Sequence, residues 1–373
     1  MIDAVRELDE VLDALADCDG RGAVLATVVG VSGSTYRREG ARLVVPVSGQ
    51  AVGNVSAGCL EDQIADHARE VVATGRSHLA HFDLTDDDEV WGWGLGCNGT
   101  VDVLVEPVER AAPVAAILRT ARAEGTTVAV VTVLEETTLG DRVVVHPGGE
   151  LTGSLGSPVL DHGATELGLA AIAAGRSHTV AFDGAGRAFV EVVEPPNRLV
   201  VCGAGADAPP LVELAARLGW SVTVVDDRPT LLTADRFPHA RSLVRSEPER
   251  AAATVGTDPR TCVVVMSHNL GRDRGYLRSF LPVRCAYLGV VGPSARLAGL
   301  LGELRAQGVV PPPEASTRVH GPAGLDLGAE GPHEVALAIV AEILAVRRGA
   351  GAGFLRHRQG PIHLRAAEGQ ASA

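Results

Sequence analysis

The chain has 373 residues, 46% of them hydrophobic and 21% charged, which is enough for two or three domains that each bury a core. The net charge of -13 argues against nucleic acid and anionic membranes as partners, because positively charged surfaces attract both. All 33 basic residues are arginines, so Schiff-base chemistry and a Walker-type phosphate loop, which both need lysine, are excluded.

The sequence carries no signal for membrane insertion or for disulfides. No apolar run approaches the roughly 20 residues that a membrane span needs. The acidic start MIDAVRELDE differs from the basic and then apolar start of a signal peptide. Six cysteines without a CxxC pair are typical of reduced thiols, so we expect a cytoplasmic protein.

The N-terminal part predicts an α+β unit. It opens with an amphipathic helix whose apolar residues include Val5, Leu8, Val11, Leu12 and Leu15. The elements predicted after it are strands at 23–29 and 41–47, a helix at 61–74, and strands at 78–84 and 100–107.

The next part repeats this order. It predicts a helix at 113–125, strands at 127–134 and 141–147, a helix ending at Ala174, and strands at 177–183 and 188–196. Gly53 matches Gly153, the stretch GRSH occurs at 75–78 and again at 175–178, and the strand ends VLVEP and EVVEP match at a shorter offset. We interpret this pattern as an internal duplication, with a first copy at 1–107 and a second, degenerate copy at 108–196.

Three loops distinguish the copies. The segment GVSGSTYRREG of the first copy is replaced by the shorter EETTLGD, the segment TDDDEVWGWGLGCNG has no counterpart, and Cys59 in VSAGCLEDQ becomes Val159. Packing would require both copies equally, so the asymmetry predicts a ligand site in the first copy. Drift between two scaffold copies is the alternative.

Cys59 is the main candidate for binding chemistry. It lies just before a predicted helix, where the dipole favours a thiolate, and Gly58 removes bulk beside it. The neighbouring loop supplies Arg37, Arg38 and Arg42, which would lower the pKa of the thiol or hold a phosphate.

Cys97, in the glycine-rich second loop, is expected to line the same pocket. A soft thiolate suits a thiophilic metal such as molybdenum, copper or zinc. Zinc held by Cys59, Cys97, His78 and His81 is an alternative, weakened because His178 repeats the first histidine in the copy without cysteines. The remaining cysteines, at 18, 202, 262 and 285, are interpreted as small buried hydrophobes.

The third part, residues 197–350, predicts a Rossmann-like doubly wound parallel sheet. A buried strand leads into Gly203-Ala204-Gly205-Ala206-Asp207-Ala208, which fits the GxGxxG/A turn, and an amphipathic helix and a second strand ending at Asp226 follow. Gly203, Gly205 and Asp207 are candidate cofactor-binding residues of the turn. Asp226 is a candidate acceptor for a ribose hydroxyl, with capping of the turn DDRPT as the alternative. His268, at the end of a later strand, is a candidate cofactor contact and hydride-transfer acid, with capping of the next helix or lining of the pocket as the alternative. Residues 351–373 form a tail that we expect to be partly disordered.

Together these motifs resemble the XdhC/CoxI family of molybdenum-hydroxylase maturation proteins. The resemblance rests on GSTYRREGARLVV, GNVSAGCLEDQ, GLGCNGTVDVLVEP, the glycine-turn segment, AYLGVVGPSARLAGLL and GPAGLDLGAEGPHEVALAIVAEILAVRRG, in the family's order. It implies an accessory protein that is not a turnover enzyme. Such a protein binds the molybdenum cofactor, protects it during sulfuration with a cysteine desulfurase and delivers it to an apo molybdenum hydroxylase. The resemblance further implies that Cys59 contacts the molybdenum and that the protein is a homodimer.

Two other functions stay open from the sequence alone. The glycine turn, Asp226 and His268 are compatible with an NAD(P)-dependent oxidoreductase. Cys59 and Cys97 are compatible with a redox sensor that closes a disulfide. A serine hydrolase is disfavoured, because no GxSxG motif occurs.

Overall fold

A computed structural model describes residues 4–18, 22–46, 50–56, 58, 60–84, 98–309, 312 and 315–358. The chain divides into two compact units, an N-terminal unit Met1–Pro195 and a C-terminal unit Pro196–Ala373. Within the described ranges, none of the helices combines the length and the apolar character that crossing a membrane requires.

The N-terminal unit contains two antiparallel sheets. Its strands are β1 (Val24–Ser34), β2 (Arg42–Val45), β3 (Val52–Gly53), β4 (His78–Asp83), β5 (Asn98–Pro107), β6 (Val128–Val133), β7 (Arg142–Val145), β8 (Leu151–Thr152), β9 (His178–Ala181) and β10 (Arg187–Val193). Its helices are α1 (Ala4–Asp17), α2 (Glu61–Thr74), α3 (Val108–Glu124) and α4 (Pro158–Ala174). The first sheet has the order β3-β2-β1-β5-β4 and the second has the order β8-β7-β6-β10-β9. The same order therefore occurs twice.

The strand register corrects one sequence match. Val105 of β5 lies opposite His78, and Val190 of β10 lies opposite His178. Glu106 therefore corresponds to Glu191, and the alignment of VLVEP with EVVEP, which pairs Glu106 with a later glutamate, is wrong. The Glu-Pro dipeptide dominates that alignment, whereas pairing with the neighbouring strand decides the register.

The two sheets pack through their inner faces. Helix α2 covers the outer face of the first sheet and α4 covers that of the second, each over a separate apolar core. The inner faces share one core with α1 and α3 and a smaller core of Val29, Leu104, Leu134 and Phe189. The alternation of side chains along each strand allows both faces to be buried.

Two elements of this unit differ from expectation. β1 continues to Ser34 because it stays paired with β5 beyond an irregularity between Val28 and Gly30. Helix α3 begins at Val108, so Pro113 lies inside it and removes one backbone hydrogen bond. Burial of Val108 and its neighbours in the core shared with α1 accounts for the early start.

The C-terminal unit is the doubly wound parallel sheet that the sequence predicts. Its strands are β11 (Arg198–Cys202), β12 (Ser221–Asp226), β13 (Ser242–Arg245), β14 (Cys262–Val265), β15 (Tyr287–Val290) and β16 (Val319–His320). Its helices are α5 (Ala208–Arg217), α6 (Ala251–Val255), α7 (Leu270–Phe280), α8 (Ser294–Ala306), α9 (Ala315–Arg318) and α10 (Pro332–Arg348). The order β13-β12-β11-β14-β15-β16 is parallel at every pairing.

Helices cover both faces of this sheet. α5 and α10 pack on one face, and α6, α7 and α8 pack on the other. Leu199 and Val201 of β11 face the first layer, whereas Val200 and Cys202 face the second. The strand order reverses between β11 and β14, and ligands of such sheets bind at this point.

Candidate functional site

The first sheet carries a two-stranded extension that the second sheet lacks. The β1–β5 ladder continues from Gly30 opposite Asp102 to Ser34 opposite Asn98. The β6–β10 ladder ends with Val133 opposite Ala188. The extension thus brings the start of the arginine loop next to the start of β5. Cys97, which precedes β5 in the sequence, lies outside the described residues.

The three arginines of the expected site have different environments. Arg37 donates from Nη2 to Oε2 of Glu7 at 2.6 Å, and Glu7 is buried. The side chain of Arg38 is exposed, and no described residue pairs with its guanidinium. Within the part of the chain that the structure describes, Arg38 is therefore the arginine of this loop that is available to an anionic ligand.

Arg42 lies in a contact between the two sheets. Its Nη1 donates to Oε1 of Glu191 at 2.8 Å and to the carbonyl of Gly40 at 3.0 Å, and its Nη2 pairs with the other oxygen of Glu191. Burial alone would lower the pKa of Arg42, but the adjacent carboxylate raises it. Arg142 repeats the arrangement, because it pairs with Glu106 and donates to the carbonyl of Gly140 at 2.9 Å. The two ion pairs cross between the sheets in opposite directions.

The residues around Cys59 fix the start of α2, although Cys59 itself lies outside the described residues. Gly58 has a φ of 105°, a conformation that favours glycine. The hydroxyl of Ser56 accepts a hydrogen bond from the Leu60 N–H at 2.8 Å and donates to Glu61. The other oxygen of Glu61 is buried and has no partner among the described residues.

The second sheet shows the same frame without the thiol. α4 begins at Pro158, and Val159, the counterpart of Cys59, lies in its first turn with 78% of its surface exposed. Asp161 replaces Glu61 and accepts from the Leu155 N–H at 2.7 Å. This position at the start of α4 is therefore open to solvent.

The two histidines of the zinc alternative do not converge. His78 stacks on His67 with ring centroids 4.6 Å apart, and Nδ1 of His81 lies 2.6 Å from a carboxylate oxygen of Asp102. The two histidines lie three positions apart in β4, so they project to opposite faces of the strand. Nowhere in the described part of the chain do three metal-ligating side chains cluster.

The C-terminal unit brings Asp207 and His268 together at the reversal of strand order. Oδ2 of Asp207 lies 2.9 Å from Nε2 of His268, and both side chains are partly exposed. His268 has a φ of 56°, which is uncommon for a residue other than glycine. The sequence predicts the two residues as separate candidates, and in the structure their side chains are in contact.

Asp226 is buried and fully engaged by the protein. Its carboxylate accepts from the Ala204 N–H at 2.7 Å, from the Arg228 N–H at 2.9 Å and from the Arg228 guanidinium at 2.9 and 2.8 Å. Burial raises the pKa of Asp226, but the hydrogen bonds from Arg228 and Ala204 outweigh burial and hold it well below its usual value. Asp226 thus stabilises the glycine turn from inside.

Sequence reasoning missed three residues near the crevice, Arg228, Arg236 and Asp273. Arg236 donates to the carbonyl of Ala204 at 2.9 Å and to that of Gly205 at 3.2 Å, and so holds the turn from outside. Asp273 is fully buried, where it accepts from Ser267 and Arg296. The spacing Asp-x-Arg at 226–228 could have indicated the ion pair between Asp226 and Arg228. The contacts of Arg236 and Asp273 join segments that are distant in the sequence, so no local pattern indicates them.

The remaining cysteines behave largely as expected. Cys202, Cys262 and Cys285 are free and buried, and Cys18 is half-buried. Burial raises the pKa of Cys262 to about 12 and raises the pKa of the other two buried thiols. Such thiols are poor nucleophiles.

Comparisons with known proteins give a consistent assignment. Residues 199–343 match the family model described as the XdhC Rossmann domain, and residues 18–83 and 121–183 match that of the XdhC and CoxI family. The chain is 32% identical, over 90% of its own length and 96% of the relative's, to a protein of Bacillus subtilis (strain 168) named as a probable xanthine dehydrogenase subunit.

Two further matches extend over most of the chain. The Escherichia coli (strain K12) molybdenum cofactor insertion chaperone PaoD is 24% identical over 88% of this chain and 84% of its own length. A crystal structure described as a xanthine dehydrogenase from Bacillus halodurans superposes with a TM-score of 0.76 at 29% identity and covers 92% of this chain and 96% of that one.

Proposed function

Because the chain belongs to the XdhC and CoxI family, we propose that it is an accessory protein that binds the molybdenum cofactor as cargo and delivers it to a molybdenum hydroxylase. The observation that carries the proposal is the similarity to an insertion chaperone along most of both chains. The name of the Bacillus subtilis relative supports a hydroxylase of the xanthine dehydrogenase type as the recipient. A carbon monoxide dehydrogenase is the other recipient that we propose.

The asymmetry between the two sheets supports a binding site in the first one. The extension of β1 and β5 and the exposed Arg38 belong to the first sheet alone. We propose that the thiolate of Cys59 contacts the molybdenum, that Arg38 attracts the anionic part of the cofactor, and that Cys97 lines the same site. Arg37 and Gly58 then have supporting roles, since Arg37 is held by Glu7 and Gly58 provides the left-handed backbone before α2.

We further propose that the N-terminal unit arose by duplication, with copies at 1–107 and 108–196. The repeated strand order and the crossed pairs Arg42–Glu191 and Arg142–Glu106 support this. In this view Arg42 maintains the contact between the copies at the base of the arginine loop, and it acts on the ligand only through that loop.

The proposal also includes two partners and an assembly that the resemblance to this family implies. An apo-hydroxylase accepts the cofactor, a cysteine desulfurase supplies sulfur while the cofactor is bound, and a homodimer is the working assembly.

The test is cofactor retention after purification from cells that make the cofactor. Wild type, Cys59→Ala, Arg38→Ala and the control Cys18→Ala are compared by metal analysis for molybdenum and by fluorescence for oxidised pterin. We expect wild type and Cys18→Ala to retain both, Cys59→Ala to lose most of the molybdenum, and Arg38→Ala to retain less pterin. Equal retention by Cys59→Ala and wild type would remove Cys59 from the site, and absence of cofactor from wild type would reject the function.

A further inference from the structure

The crevice beside the glycine turn of the C-terminal unit has the position of a dinucleotide site but lacks its phosphate chemistry. A pyrophosphate at such a turn is held by free backbone N–H groups in the first turn of the following helix. α5 begins with Ala208, Pro209 and Pro210, so two of these three positions carry no N–H. The remaining N–H, of Ala208, is directed to the carbonyl of Gly205 at 3.4 Å.

A negative charge lies where the phosphates would bind. Asp207 is the residue immediately before α5, and its side chain makes no capping hydrogen bond to the helix. Instead its carboxylate pairs with His268 across the reversal of strand order, at 2.9 Å. Repulsion between this carboxylate and a pyrophosphate disfavours a dinucleotide.

Asp226, the acid expected to bind a ribose hydroxyl, is already hydrogen-bonded by the protein. Asp226 accepts four hydrogen bonds from Ala204 and Arg228 and is fully buried. A carboxylate offers about four acceptor positions, so a ribose hydroxyl would have to displace a protein donor.

The two glycines of the turn differ in whether the packing of the protein requires them. Gly203 is required by the protein itself, because a Cβ there would lie 2.6 Å from the Cα of Ser267 and φ is 113°. The protein does not require glycine at position 205, since the nearest neighbour of a Cβ there would be Cδ2 of His268, at 3.8 Å. The protein therefore leaves the face of Gly205 beside the Asp207–His268 pair unfilled to 3.8 Å from a Cβ position.

We propose that this crevice binds a ring whose edge donates hydrogen bonds, the 2-amino-4-oxopyrimidine edge shared by pterins and guanine, and that it does not bind a dinucleotide. The carboxylate of Asp207 accepts from the ring N–H and the 2-amino group, and His268 holds that carboxylate in place. A pterin as the natural source of the edge rests on the proposed function, because the molybdenum cofactor contains one.

The experiment titrates the full chain, purified free of cofactor, by calorimetry. The ligands are 6-hydroxymethylpterin, its 2-oxo analogue 6-hydroxymethyllumazine, guanosine, xanthosine, NAD+ and NADP+. The variants are Asp207→Asn, Gly205→Ala and the control Glu213→Gln, which alters an exposed carboxylate on α5.

We expect a 2-amino ligand to bind wild type at least about tenfold more tightly than its 2-oxo partner, as expected when a bidentate hydrogen-bonded pair is lost. Asp207→Asn should lose about as much, Gly205→Ala should weaken binding while leaving the melting temperature unchanged, and Glu213→Gln should match wild type. A preference for hydroxymethylpterin identifies a pterin as the source, and a preference for guanosine identifies a guanine nucleoside.

Several results overturn the inference. One is that NAD+ or NADP+ binds more tightly than both 2-amino ligands, and another is that neither 2-amino ligand binds. Equal affinity for the 2-amino and 2-oxo partners, or binding by Asp207→Asn that equals that of wild type, would also overturn it. Cofactor retention separates this inference from the proposed function. Retention by wild type and equally by Asp207→Asn rejects only the crevice, whereas pterin binding that depends on Asp207, in a wild type that never retains molybdenum, rejects only the cofactor delivery.

Discussion

Replacing Arg142 by methionine should destabilise the N-terminal unit far more than removing an exposed arginine. Glu106 is 1% exposed, its carboxylate pairs directly with Arg142 of the second sheet, and the guanidinium of Arg42 interacts with it at longer range. Methionine keeps much of the length of arginine but leaves a buried carboxylate unpaired, which costs about 3–5 kcal/mol. In contrast, the Arg69–Asp66 pair is mostly exposed, and Arg69→Ala should cost less than about 1 kcal/mol.

The double variant separates the ion pair from other effects. In Glu106→Gln/Arg142→Met neither charge is left alone, so the loss should fall short of the sum of the single losses by about 2 kcal/mol. Arg142 also donates to the carbonyl of Gly140, and that contact is lost in both variants that lack the arginine. The difference between the sum of the two single losses and the loss in the double variant therefore reports the carboxylate–guanidinium contact.

Hydrogen exchange measured by mass spectrometry suits this two-unit chain, because a single unfolding transition would mix the units. A loss of about 4 kcal/mol corresponds to roughly a thousandfold faster exchange in peptides from β5 and β7. Peptides from β12, in the other unit, should be unchanged. Protection of β5 in Arg142→Met equal to that in Arg69→Ala would refute the reasoning that the crossed pairs hold the sheets together.

Three further predictions concern the C-terminal unit. Gly203→Ala should lower its melting temperature in calorimetry, because φ is 113° and a Cβ there meets backbone at 2.6 Å, whereas Gly205→Ala should not; equal melting temperatures would contradict this. Asp226→Asn should lower the free energy of unfolding of this unit, measured in urea at pH 7. Because folding depresses the pKa of Asp226, its contribution to stability is present above the unfolded pKa of about 3.9 and is lost as the pH falls through the lower folded pKa. A loss of stability that stays constant down to pH 2 would argue against this role of Asp226. Cys262 should resist iodoacetamide in the native protein while half-buried Cys18 reacts, and mass spectrometry showing native alkylation of Cys262 would mean that its strand opens.

Local patterns allowed the sequence to predict much of the fold. The helix expected at 61–74 is found as α2, Glu61–Thr74, because apolar residues at helical spacing bury Ile64, Ala68 and Val71. Gly75 then ends the helix in the left-handed conformation that glycine favours. The turn after β11 was predictable for the same reason, since a buried strand, glycines and an amphipathic helix are adjacent in sequence.

Contacts between distant segments were not predictable. The crossed pairs join arginines of β2 and β7 to glutamates of strands far along the chain, and no local pattern marks such partners. β13, Ser242–Arg245, has neither the apolar run nor the alternation of a buried strand, since it lies at the edge of the sheet. The role expected for Asp226 toward a ribose assumed a free carboxylate, and Arg228 two residues later occupies it.

The unequal ends of the two ladders favour selection for binding over drift. The second sheet closes its β6–β10 ladder at Val133, and Leu134 then packs into the core shared by both sheets, so the fold is complete without an extension. The first sheet has the same strands, helices and crossed ion pair, yet continues its ladder to Ser34 and presents the exposed Arg38 just after it. Stability of the sheet does not require that added length, because its twin forms without it. In the site that we propose, an anionic ligand that needs the guanidinium of Arg38 gives a physical reason to keep it.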